Sequence, residues 1–359
     1  MMKSKRIVWM DIARVLAVIM VVSCHVIEIE YYDVIFGKKS VPDLVWFFEN
    51  ILYAASRFGV PLFLMLSGAL LLERDIEINV FYKHSLIPLL ITTEVWTIIY
   101  YFYNIWVANS AFNVQTFLYD VLFLKNSSAN HMWYLPMILG FYLIMPFLSK
   151  ALKSVSFSAA LIPLSIAFFA FSIIPLFNAF ASEVFKTLPD ITFSFDVAFL
   201  GGVYGFLLVM GHYVTHSPIF KKIPFYVFIV VLLVSLAFNT IGARYFYTHN
   251  LYHSIVFVWY NSPFIIVASV CLFACLSKLK IKRSVPAATI LSKGSFTIYL
   301  IHNMILNYVE SNLNFYRSYP LIARTVIRFA FAFGLPALLV ILLNFTPFRR
   351  FKKTVFYMK

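Results

Sequence analysis

The apolar run WMDIARVLAVIMVVSCHVIE near the N-terminus carries three side chains able to do chemistry: Asp11, Arg14 and His25. A charged side chain at the centre of a bilayer costs about 2.5–3.5 kcal/mol on insertion scales, so an arginine there marks a functional site by default. Helical spacing decides whether the three can act together. Eleven residues at about 100° each return to within about 20° of the starting face, about 16 Å further along the axis. Arg14 and His25 therefore share a stripe. Asp11 precedes Arg14 by one turn, the spacing of an ion pair. One stripe thus offers anion binding at one end and proton transfer at the other. The plainer reading is a buried ion pair plus a packed histidine.

Other apolar runs hold further candidates. ASRFGVPLFLMLSGALLL places Arg57 near its middle, and Pro61, four residues on, frees a backbone carbonyl that neighbours must satisfy. Glu94 stands alone in the third run and is expected to end in a structural ion pair with Arg57 or Arg14. His131, Trp133 and Tyr134 gather around Pro136 in HMWYLP, either as an interfacial aromatic belt or as a surface on which a saccharide or acyl chain could stack. SFTIYLIHNMIL adds Tyr299, His302 and Asn303. Arg244, Tyr245, Tyr247, His249, Tyr252 and His253 make a polar aromatic cluster suited to a sugar or lipid headgroup. The three cysteines, Cys24, Cys271 and Cys275, all lie inside apolar runs and suggest neither disulfide nor metal. No metal-ligand or serine-centred motif is visible, so no metal is expected.

The elements that must position these groups are membrane helices. Mean hydropathy is +0.86, with 62% hydrophobic and 12% charged residues, whereas soluble domains carry about 25% charged residues. A soluble globular protein is excluded. Ten candidate spans fall near 7–28, 44–72, 82–105, 131–149, 158–178, 195–213, 223–243, 254–277, 287–310 and 321–345. The expectation is an all-α integral membrane protein of ten transmembrane helices, one domain over residues 1–359, with no internal repeat. The first run is read as a retained helix, because Asp11 and Arg14 interrupt it and no convincing cleavage site follows. With the N-terminus inside, the inner segments hold 18 lysines and arginines and the outer ones 6. The positive-inside bias then puts both termini in the cytoplasm. The net charge of +14 needs no nucleic acid to explain it; it suits an anionic inner leaflet.

Four segments in order carry a resemblance: DIARVLAVIMVVSCH, SRFGVPLFLMLSG, HMWYLPMILGFYLIMPFL and SFTIYLIHNMIL. The chain resembles the membrane acyltransferase-3 family, especially its O-acetyltransferases of enterobacterial common antigen, capsule and O-antigen. The resemblance implies acyl transfer from acetyl-CoA, as co-substrate, to a glycan or lipid-linked sugar at a bacterial plasma membrane. His25 and Arg14 match the family's essential pair, and Arg57 its second-helix arginine. One departure stands out. Many members carry an arginine-rich stretch before the third-helix proline, and here it reads FYKHSLIP, with only Lys83 and His84. Contacts to CoA phosphates would then fall to Arg74, or to Lys278, Lys280, Lys282 and Arg283.

This residue kit suits ester formation. A histidine takes the hydroxyl proton as general base, a fixed donor such as Arg57 steadies the oxyanion, and Arg14 guides the pantetheine arm or a phosphate. A transient acyl-histidine stays open. The acceptor or acyl channel would draw on His131, Trp133, Tyr134, Tyr299, His302 and Glu94. The runner-up is a glycolipid transporter or flippase, since intramembrane Arg, His and Glu also build proton relays. The lack of paired Gly/Pro-broken helices in two repeated halves weighs against it.

Overall fold

The computed structural model describes residues 7–35, 40–124, 129–186, 188–194, 201–251, 256–281, 285–347, 352 and 354–358. Every regular element among them is helical. The first apolar run forms α1 (Val8–Ile35), which passes the expected end at 28. Glu28 and Glu30 are thus side chains of the helix itself, spaced to reach its neighbours.

The expected span 44–72 is broken into α2 (Asp43–Ser56) and α3 (Gly59–Leu71), with a turn at Arg57 and Phe58. Two causes coincide there. Pro61 has no N–H to give the Arg57 carbonyl. Gly59 presses on α1, where a Cβ would come within 2.7–2.9 Å of Val21 and the Ala17 carbonyl. The break turns Arg57 toward α1.

The chain continues through α4 (Ile87–Ala108), α5 (Tyr134–Lys153) and α6 (Phe157–Phe168). A short, tightly wound 3-10 turn at Asn130–Trp133 leads into α5. Then come α7 (Gly202–His216), α8 (Phe225–Thr248), α9 (Pro263–Ser277), α10 (Pro286–Lys293), α11 (Ser295–Asn312) and α12 (Leu321–Phe345).

Among the described residues, seven helical stretches are long and apolar enough to cross a membrane: Val8–Val34, Asp43–Leu71, Ile78–Ala108, Asn130–Lys153, Phe157–Phe185, Phe225–Thr248 and Leu321–Phe345. The protein is an all-helical, multi-pass membrane protein. Three expected spans come out shorter or more polar. α7 and α9 have 15 residues each, about 22 Å of helix against a hydrocarbon core of about 30 Å. The first parts of their expected spans, 195–200 and 254–255, lie outside the described residues. α11 is parted from α10 at Gly294 and carries Ser295, Thr297, His302, Asn303 and Glu310. Its polar groups face protein: Thr297 and His302 are wholly buried.

α1 runs through the middle of the bundle, against α2, α3, α9, α10, α11 and α12. α3 and α7 pack closest of all. A Cβ on Gly68 would overlap the Leu208 carbonyl, and one on Gly211 would overlap the Met65 backbone. Small residues that let backbones touch are how helices associate where lipid removes the hydrophobic drive.

Candidate active site

The α1 stripe is as the spacing requires. Arg14 Nη1 lies 3.5 Å from Asp11 Oδ1, and Ser292 of α10 donates to the same carboxylate oxygen at 2.8 Å. Two turns beyond Val18, His25 joins two other imidazoles. Its ring stacks on His302 of α11 at 5.2 Å between centroids. His131, from the turn before α5, meets His302 edge-on at 5.2 Å and His25 at 6.2 Å. Three histidines from three distant segments therefore converge at one level of the bundle.

Hydrogen bonds fix what each imidazole can do. His25 Nδ1 is 3.1 Å from Glu28 Oε2, so a neutral His25 donates from Nδ1 and keeps a basic lone pair on Nε2. His302 Nδ1 is 2.6 Å from the Tyr299 carbonyl. A carbonyl only accepts, so that nitrogen carries the proton. Asn303 Nδ2 donates to His131 Nδ1 at 3.2 Å, leaving the proton of a neutral His131 on Nε2. The Nε2 atoms of His131 and His302 are buried without a hydrogen-bond partner. An unpaired buried donor costs about 1–3 kcal/mol, and native proteins tolerate few of them outside functional sites.

Glu28 is the residue that sequence reasoning missed. The expected span 7–28 ends on it and gives it no role, although its three-residue separation from His25 is a signal present in the sequence. Its other oxygen accepts from Tyr53 Oη at 2.9 Å and from Arg57 Nη2 at 3.0 Å. Arg57 also donates to Tyr53 Oη and lies over the rings of Tyr53, Trp259 and Tyr260 at 4.6–5.4 Å. Its side chain is only 4% exposed. The guanidinium expected to stabilise an oxyanion is instead committed to the carboxylate that holds His25.

The aromatic candidates surround these groups. Trp133 packs on Tyr204 and Tyr260. Tyr299 donates to the His131 carbonyl at 2.6 Å, and Tyr134 stands 6.0 Å from the Tyr299 ring. Glu94 does not pair as expected: its Oε2 is buried without a hydrogen-bond partner, and neither Arg57 nor Arg14 reaches it among the described residues. Break geometry explains the miss, because the turn at Arg57 aims that arginine at α1 rather than α4.

A cavity of about 620 Å³ runs beside α1. Arg14, Arg74, Lys293 and Asp11 line one part, and Val21, Tyr134 and Tyr299 line another; Val60, Phe63, Leu66 and Ile138 add an apolar wall. The C-terminal segment folds back to meet it. Trp96 Nε1 donates to the Val355 carbonyl at 2.7 Å and Thr297 Oγ1 to the Phe356 carbonyl at 3.1 Å, which seats Tyr357 in the cavity wall.

A family model for this acyltransferase domain matches residues 7–345. The chain belongs to the acyltransferase-3 family. No curated protein and no solved structure gives a match. Membership makes the protein an acyltransferase acting on membrane-associated substrates.

Of the basic residues expected to replace the arginine-rich stretch, Arg74 lies on the cavity, and the others among the described residues do not. Lys83 and His84 are exposed in the turn before α4. Lys278 donates to the Lys221 carbonyl at 3.0 Å, between α9 and the segment before α8, and Lys280 is exposed. Lys282 and Arg283 lie outside the described residues. Lys293, which ends α10, was not singled out by sequence. The cluster around Arg244 is a surface pairing with Asp43 at 2.6 Å and with the Trp46 and Tyr247 rings; Tyr252 and His253 lie outside the described residues.

Proposed function

We propose that the protein transfers an acetyl group from acetyl-CoA to a hydroxyl of a cell-surface glycan or its lipid-linked precursor, with His25 as general base. The observation that carries this reading is the cavity itself. It begins among Arg14, Arg74 and Lys293 and ends at Val21 and Tyr299, one turn of α1 below the histidine cluster. Cations at the mouth suit CoA phosphates, which guanidinium and ammonium groups bind as charge-assisted pairs. The apolar wall suits the pantetheine arm.

The reaction then needs few groups. His25 Nε2 removes the acceptor hydroxyl proton as its oxygen attacks the thioester carbonyl. His131 Nε2–H is a buried donor suited to the oxyanion of the tetrahedral intermediate. The C–S bond breaks, and imidazolium His25 returns its proton to the departing thiolate. Glu28 steadies that imidazolium, and Arg57 with Tyr53 holds Glu28. Arg57 is a positioning residue in this scheme. No step requires a metal.

The positive-inside bias supports the sidedness. Both termini face the cytoplasm of a bacterial plasma membrane, where the cationic mouth meets acetyl-CoA, and His131, Trp133 and Tyr134 lie toward the acceptor. In oriented vesicles, acetyl-CoA on the cytoplasmic side acetylates an impermeant glycan offered only on the other side, read by mass spectrometry as the gain of acetyl groups. Reaction only when both substrates share the cytoplasmic side would overturn the transmembrane route. Absence of transfer from acetyl-CoA to any surface glycan, with His25 intact, would overturn the donor and acceptor together.

A further inference from the structure

A second cluster of ligand atoms joins α3 to α7, outside the acyl-transfer machinery. His212 and His216 stand four residues apart on α7, so both rings lie on one face, 5.1 Å between centroids. Glu73, just beyond α3, approaches from the facing helix, its Oε2 3.7 Å from His212 Nδ1. One donor atom from each of the three falls within 4.8 Å of the others.

Two details go beyond proximity. The His212 side chain is 5% exposed, and its Nδ1 is buried without a hydrogen-bond partner. His216 Nδ1 is 3.0 Å from the His212 carbonyl, so that nitrogen carries the proton and Nε2 presents its lone pair. Backbone-oriented imidazoles of this kind are the usual form of a metal-bound histidine. The scaffold is rigid as well. Gly68, five residues before Glu73, and Gly211, directly before His212, let the two backbones touch beside the cluster, which fixes the spacing of the helix ends.

We propose that Glu73, His212 and His216 form a binding site for a divalent transition-metal cation of the zinc class. Two imidazoles and one carboxylate make a borderline ligand set suited to zinc, and they leave a fourth position for water. Tetrahedral ligands about 2.1 Å from an ion lie about 3.4 Å apart. The Glu73 side chain, 48% exposed, can rotate to close the remaining gap. The ion clips the end of α3 to α7. Arg74, on the cavity mouth, is the next residue after Glu73, so the clip also steadies that end of the cavity.

The test uses the full chain in detergent, purified without a polyhistidine tag and stripped by chelation. Titration with Co²⁺ should give the visible absorption of a four-coordinate ion, saturating at one equivalent and displaced by Zn²⁺. Glu73→Gln and His216→Ala, which change exposed or half-buried side chains, should each weaken Zn²⁺ binding at least about tenfold in calorimetry. Without metal both variants should unfold at the wild-type temperature, and only the wild type should gain thermal stability when Zn²⁺ is added, as ligand binding to the folded state requires. Co²⁺ that gives no such spectrum, or equal Zn²⁺ affinity in wild type and both variants, would overturn the site.

Discussion

Glu28→Gln isolates the group that makes His25 more than a packed histidine. The carboxylate lies 3.1 Å from His25 Nδ1. At an effective dielectric constant near 20, unit charges that far apart interact by about 5 kcal/mol. His25 and Glu28 are 21% and 19% exposed, and a glutamine keeps a hydrogen bond, so about 3 kcal/mol of imidazolium stabilisation is the fair expectation after screening. That is about a 10²-fold loss in kcat. A second effect works in the same direction. The glutamine amide can donate to Nδ1 and push the proton of neutral His25 onto Nε2, the nitrogen that must act as base. In serine proteases the comparable aspartate-to-asparagine change costs about 10⁴-fold for this reason.

The assay is steady-state release of free CoA by purified protein with acceptor present, over a range of acetyl-CoA concentrations. Glu28 does not line the cavity, so the KM for acetyl-CoA should stay at the wild-type value while kcat falls. Glu28→Asp, which keeps the charge one carbon further back, should recover part of the rate. Loss of its carboxylate partner leaves Arg57 with Tyr53 and the rings of Trp259 and Tyr260, and a lower unfolding temperature accompanies the change. Rates are therefore compared only on protein that elutes and melts as a folded species. A folded Glu28→Gln protein with wild-type kcat would refute the positioning role. A raised KM at unchanged kcat would move Glu28 to donor binding.

His25→Ala should fold normally and lose acyl transfer by about 10²-fold or more, checked by the same CoA-release assay beside a melting curve. Arg74→Ala and Lys293→Ala should each raise the KM for acetyl-CoA at constant kcat, with an effect that shrinks at high salt because exposed charge contacts are screened. Lys278→Ala and Lys280→Ala should leave it unchanged, since neither side chain lies on the cavity. Gly68→Val should destabilise the protein by about 1–3 kcal/mol or more, the usual cost of overpacking, because its side chain would meet the Leu208 carbonyl, which is backbone and cannot move aside. Thermal unfolding in detergent measures that loss.

What the sequence carries well is anything repeated along a single helix. The Asp11–Arg14–His25 stripe follows from 3.6 residues per turn, and the structure adds Ser292 as a further partner of Asp11. The same arithmetic reaches Glu28 from His25, and His216 from His212. Neither pair stands out along the chain: Glu28 closes the expected span 7–28, and two histidines four residues apart complete a ligand set only with a glutamate from another helix. Convergence between segments is another matter. His131 and His302 are separated by 170 residues and come together only through the packing of α5 and α11 around α1. No spacing rule encodes that. The fate of Arg57 also depended on tertiary geometry: the cost of burying its charge is legible, but the turn that aims it at Glu28 and away from Glu94 needs both Pro61 and the close approach of Gly59 to α1.

The charges on the Asp11–His25 stripe of α1 fall into two sets with an apolar stretch between them; Glu30, further along the helix, pairs with Arg324 and Arg328. Asp11 and Arg14 neutralise one another at one end, with Ser292. His25, Glu28 and Arg57 make up the other end. Between them α1 presents Ala17, Val18, Val21 and Val22, all buried, and the cavity wall there is Val60, Phe63, Leu66 and Ile138. Buried charge is tolerated when it is paired and hydrogen-bonded, so two closed sets cost the fold less than scattered ions. The separation also has a chemical use. A donor with an anionic head and a long thin arm needs cations at one end and a dry passage to a base at the other. A helix that carries both ends on one stripe fixes their distance at about 16 Å by its own rise, without help from any loop. In the proposed function the Arg14–His25 spacing is then a ruler for the acyl arm. Inserting a single residue between Arg14 and His25 would rotate His25 and Glu28 together by about 100°, away from His302 and Arg57, which makes register, more than the identity of the intervening residues, the property that the stripe must preserve.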